Sequence, residues 1–192
     1  IADLPRFWGG LVGYLTYETV CFFEKIENKW PEENPIAHFI MPDEILIFDN
    51  IRNTLMIVVI SYKKDRLNPD EAYDAAMKKI DALFEAICNT PARPIAQPET
   101  ASYTLTPIID QEDFRVQVKT IISNIYAGEV IQTVLSQPFA CDAPSNLLLL
   151  YRAQRYINPS PYLFFMHLDE VALVGSSPET MVRLENGVAT LR

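Results

Sequence analysis

Apolar positions along the chain change period several times, and each change predicts an element. Phe114, Val118, Ile121, Ile122 and Ile125 recur at the spacing of one helical face, and Gly128 follows where a left-handed residue closes a helix. Val130 to Phe139 then reads as a strand. Val130, Gln132, Val134 and Ser136 share one of its faces, so the pattern predicts a single amide, Gln132, buried among aliphatics. Upstream, Ile45 to Phe48 and Thr54 to Ser61 predict a hairpin about Asp49 to Asn53. Asn68-Pro69-Asp70-Glu71 carries a capping residue, a proline suited to the first helical position and a glutamate three residues after the cap. Tyr73, Ala76, Met77, Ile80, Leu83, Phe84 and Ile87 give that helix one apolar face, a core stripe. Downstream, Leu147 to Tyr156 predicts a helix ended by Asn158-Pro159. Tyr162 to Leu168 and Val171 to Gly175 predict two strands about Asp169-Glu170, and Asn186-Gly187 a tight hairpin turn.

Breakers divide these elements. Gly9 to Tyr17 mixes glycines with β-formers, as expected where a strand bends or admits another backbone; its spacing is not that of a phosphate cradle. Asn28 to Pro42 reads as a surface loop, and Pro91, Pro94, Pro98 and Pro107 mark a boundary. Residues 1–90 and 108–192 are therefore expected as separate regions joined by a proline-rich linker, 91–107. Asp110 to Asp113 place negative charge at a helix start, and Asp142 to Ser145 supply turn and cap residues. Ser177 and Pro178 resemble a cap and a first helical residue, which makes Glu179, on local grounds, a partner for a helix dipole.

Composition narrows the functional classes. With 192 residues, 49% of them hydrophobic, the chain is of globular type, and a net charge of -9 leaves no basic patch for nucleic acid. The longest aliphatic run, Leu55 to Ile60, is too short to span a bilayer and no signal segment opens the chain, so a cytoplasmic protein is expected. Cys21, Cys88 and Cys141 are far apart, as are His38 and His167, and none stands in a metal-ligand spacing. The chain begins at Ile1 and ends at Arg192 within the alternating run Val188 to Arg192, and is expected to be an excised fragment.

Three motifs in close succession, AGEVIQTVLSQPF, INPSPYLFF and LVGSSPE, resemble the chorismate-utilising enzymes, and among them most closely the large subunits of anthranilate synthases. GGLVGYLTYET, the pair Phe23-Glu24 and MPDEILIFDN resemble the second part of that family's N-terminal domain. The resemblance implies an α+β fold of antiparallel sheets stacked around a cleft with helices outside. Residues 1–90 would complete the N-terminal domain and 108–192 begin the chorismate-binding domain. It implies a reaction of chorismate with ammonia, delivered by a glutamine amidotransferase subunit and assisted by Mg2+, giving anthranilate and pyruvate.

By that resemblance Glu179 is the general acid, partly buried in a closed cleft. Hydroxide leaves poorly unless protonated, so such an acid is chemically required. Gln132 stands where water-using relatives carry a lysine base; ammonia is already nucleophilic and needs only orientation, which an amide supplies. Pro161, Tyr162 and Leu163 fall where feedback-inhibited members contact L-tryptophan, with Leu163 in place of the usual methionine and the family's LLES element absent. The family's PIAGT segment, and the histidine, two magnesium-binding glutamates and tyrosine and arginine clamp that follow it, would come after Arg192 and are not in this sequence. The expectation is therefore no metal ligand in this chain and no turnover by it alone. The alternatives are the large subunit of aminodeoxychorismate synthase, or a noncatalytic module that binds tryptophan or docks a subunit.

Overall fold

The computed structural model describes residues 4–62, 68–92 and 102–191. In chain order these form β1 (Val12–Leu15), a 3-10 helix (Tyr17–Phe22), β2 (Ala37–Ile40), β3 (Glu44–Asp49), β4 (Thr54–Val59) and α1 (Pro69–Asn89). There follow β5 (Thr106–Pro107), α2 (Gln111–Ala127), β6 (Phe139–Ala140), α3 (Leu147–Ile157), β7 (Tyr162–Leu168), β8 (Val171–Ser177), β9 (Val182–Glu185) and β10 (Val188–Leu191). The fold is α+β. Among the described residues the strands form two-stranded sheets, β1 with β2, β3 with β4, β5 with β6, β7 with β8 and β9 with β10. The chain divides into two compact units, residues 1–95 with 166–173, and residues 96–165 with 174–192.

In the first unit local chemistry explains most of the geometry. β3 and β4 pair antiparallel from Glu44 opposite Val59 to Asp49 opposite Thr54. The Asp49 carboxylate closes the turn by accepting from the backbone N–H groups of Ile51 and Arg52, both at 2.9 Å. Asn53 takes the left-handed conformation, φ 54°, that asparagine tolerates there. Those N–H groups, Arg52's first, hold the Asp49 carboxyl below the ordinary carboxylate range. Helix α1 starts with the expected capping box. The Asn68 side chain accepts from Glu71 N at 2.9 Å, and Glu71 accepts from Asn68 N at 3.1 Å. The helix lies against β4, and Lys79 on it reaches Asp43 at 2.8 Å and Glu44 at 3.0 Å at the start of β3.

The segment expected as a loop, Asn28 to Pro42, contains a strand. Ala37–Ile40 pairs with β1, Val12 opposite Ile40 and Leu15 opposite Ala37. The prolines that flank it say nothing about this pairing, because the partner lies more than 20 residues upstream. Gly13 makes it possible: a Cβ there would stand 1.9 Å from the His38 carbonyl oxygen. His38 Nε2 also lies 3.7 Å from Asp169 Oδ2, and the Leu168 side chain beside Asp169 is 3% exposed, the buried hydrophobic among the described residues.

In the second unit, α2 begins at Asp110, whose side chain accepts from Glu112 N, and ends at Gly128 with φ 80°. The glycine stop is thus where the pattern places it. The strand predicted after it is not. Among the described residues, 130–138 pair with no strand, and Phe139–Ala140 joins β5. Gln132, expected buried, is exposed, with Ile131 98% and Val134 85% exposed beside it. Valines and isoleucines favour strands only where a neighbouring strand and a packed face receive them, and the described residues supply neither. Helix α3 is capped by Asn146, one residue beyond the expected cap stretch. The proline-rich stretch 93–101 within the expected linker lies outside the described residues.

Candidate active site

Two turns facing one another build the site. The first follows α3, where Asn158 caps the helix and Pro159 prevents its continuation. Ser160 then accepts from Tyr162 N at 3.2 Å and donates to the carbonyl of Ser177 on β8. Ser176 donates to the Asn158 carbonyl at 2.8 Å. These hydroxyls fasten the Pro159 to Pro161 turn to the end of β8, two strands' ends being held by side chains where the ladder stops.

The second turn is Pro178-Glu179-Thr180. The predicted helix start after Ser177 is absent: β8 ends at Ser177 and β9 begins at Val182. Ser177 donates to the Glu179 carbonyl, 3.2 Å away, so the hydroxyl that resembled a helix cap closes a bend instead. This removes the helix dipole as an explanation of Glu179. Thr180 Oγ1 donates to the Tyr162 hydroxyl at 2.5 Å, tying the second turn to the first.

Between them lies a cleft of about 530 Å³ lined by Pro161, Tyr162, Pro178, Glu179 and Thr180. Three of the five residues singled out in the sequence, Pro161, Tyr162 and Glu179, therefore meet. Glu179 is exposed, not partly buried, and its carboxylate has no ion pair or hydrogen bond to another described residue. Leu163 is half-buried on the strand and does not line the cleft, and neither does Gln132. Alternation along β7 explains the first: successive side chains take opposite faces, so Tyr162 and Leu163 cannot share one. The sequence does not mark Ser160, Ser176 or Thr180 as residues of the cleft and offers Ser177 as a helix cap; the hydroxyl-rich runs beside β7 and β8 are the signal that could have found them. The cleft can bind a small molecule against proline and tyrosine surfaces and present a carboxyl group to it. Among the described residues no group of three or more His, Cys, Asp or Glu side chains is placed to hold a metal ion.

Comparison with known proteins gives this geometry its context. Over 205 aligned residues the chain is 36% identical to anthranilate synthase component 1 of Acinetobacter calcoaceticus, all of the chain matching 39% of that protein. It is 35% identical to anthranilate synthase component 1 of Aquifex aeolicus, with 96% of the chain and 38% of the relative covered. The chain thus spans well under half the length of these curated relatives. The crystal structure of anthranilate synthase component I from Streptococcus pneumoniae superposes with a TM-score of 0.81 at 25% identity, over 97% of this chain and 42% of that one. The family profile described as chorismate binding enzyme matches residues 2–192, and the chain belongs to that family.

Proposed function

We propose that this chain is part of the large subunit of an anthranilate synthase, which converts chorismate and ammonia to anthranilate and pyruvate. One observation carries the reading: relatives matched across 100% and 96% of the chain, at 36% and 35% identity, are named anthranilate synthase component 1. The cleft supports it chemically. In this reading Glu179 is the general acid. It protonates the hydroxyl that departs from chorismate, and the turn that carries it presents the carboxyl to bound substrate instead of to a partner side chain. Gln132 orients ammonia. It lies in a segment, residues 130–138, that pairs with no strand among the described residues.

The same reading takes ammonia from a glutamine amidotransferase subunit and L-tryptophan as an inhibitor at Pro161 and Tyr162, in a cytoplasmic, magnesium-dependent enzyme. No helix among the described residues is long and apolar enough to cross a membrane. The test is Glu179→Gln in the full-length protein, assayed with ammonia as nitrogen donor. Loss of the general acid lowers anthranilate formation by about 10²- to 10⁴-fold. Near-normal turnover by that variant overturns the assignment.

A further inference from the structure

We infer that Thr180 is a positioning residue, and that its bond to the Tyr162 hydroxyl fixes the backbone presenting Glu179. The inference rests on Glu179 being the general acid. Glu179 sits in the middle of the bend between β8 and β9, and both sides of that bend are held. On the β8 side Pro178 restricts its own backbone, and Ser177 donates to the Glu179 carbonyl at 3.2 Å. On the β9 side Thr180 donates to Tyr162 Oη at 2.5 Å. Tyr162 is itself anchored, since its backbone N–H donates to Ser160, which donates onward to the Ser177 carbonyl. The loop of contacts closes on the residue where it began.

The Glu179 carboxylate is exposed and has no partner among the described residues, so what the protein sets for it is the position of the backbone that carries it. An acid displaced from the leaving oxygen loses rate without losing substrate affinity, because proton transfer belongs to the transition state. Thr180 and Tyr162 act through one shared bond. Removing either hydroxyl removes the whole effect, and removing both adds nothing.

In the full-length protein, Thr180→Val and Tyr162→Phe each lower kcat by about 2- to 10-fold, the worth of one net hydrogen bond, with KM for chorismate unchanged. Thr180→Ser, which keeps the hydroxyl, restores kcat. The Thr180→Val, Tyr162→Phe double variant is no slower than either single one. Losses that multiply, or that fall on KM, overturn the inference. A second readout is independent of turnover: in the full-length protein, the 13C signal of the Glu179 carboxyl moves in Thr180→Val and in Tyr162→Phe and returns in Thr180→Ser. An unmoved signal in Thr180→Val overturns the inference even if Glu179 proves to be the acid. Full activity of Glu179→Gln removes the acid reading while the carboxyl signal still reports on Thr180.

Discussion

The stretch that carries Glu179 and the stretch that carries Gln132 are equally conspicuous in the sequence and opposite in structure. Residues 158–180 fold back on themselves: β7 pairs with β8, and the hydroxyls of Ser160, Ser176, Ser177 and Thr180 bond across the turns at their ends. Residues 130–138 have strand-forming side chains, yet none of their partners is local, and Ile131 and Val134 stand in solvent. Glu179 is placed by bonds within its own neighbourhood, and Gln132 is not. A short chain segment fixes geometry when its backbone groups and side chains are satisfied within it, and not merely when its composition suits an element.

Amide hydrogen exchange gives the largest contrast. Amides of Ile45 to Phe48, within the β3–β4 ladder, exchange about a hundredfold or more slowly than those of residues 131–136, since the latter need no opening. Equal protection of the two would break the comparison. Packing provides the next test. A Cβ on Gly175 would stand 2.0 Å from the Phe164 ring, so Gly175→Ala costs about 1 to 3 kcal/mol in chemical denaturation. Ile131→Ala, on the open segment, stays within about 0.5 kcal/mol. A third test sharpens the idea of local determination in the first unit: Asn68→Ala, which removes the capping box of α1, costs about 1 kcal/mol.

The smallest effect is electrostatic. Lys79, first by its hydrogen bond and then by its charge, holds the Asp43 carboxyl below its ordinary value. A carboxyl with a depressed folded pKa contributes stability above its unfolded value, near 4 for aspartate, and loses it as pH falls through the folded one. Lys79→Met therefore makes acid unfolding less steep below about pH 4, with little change at neutral pH because the pair is exposed. An unchanged acid limb in urea midpoints measured against pH would remove Asp43 from the account.

Much of this was legible in the residues. The capping box at Asn68, the turn at Asp49 to Asn53, the stop at Gly128 and the strands about Asp169-Glu170 each need only groups within a few positions, and each stands where the pattern places it. Gly13 signalled a close backbone approach, though not whose. Glu179 and Tyr162 could be named as site residues by resemblance, but the bond that joins their turns could not be foreseen. It links positions 18 residues apart through a hairpin whose register decides which side chains meet.

Where the sequence misled, the cause was always a partner beyond local reach. Ser177 has the residue type of a helix cap, yet its hydroxyl closes a bend, because β9 follows where a helix was expected. Ala37–Ile40 lies between prolines and still forms a strand, because β1 offers it a ladder. Val130 to Phe139 has the alternation of a strand and remains unpaired up to its last residue, because no strand among the described residues offers it a ladder. The sequence by itself determined the capping box of α1, the glycine stop of α2, the local turns and the chemical groups available. Only the tertiary structure decided which strands exist and which side chains share a cleft, since backbone pairing between segments is a property of both segments at once.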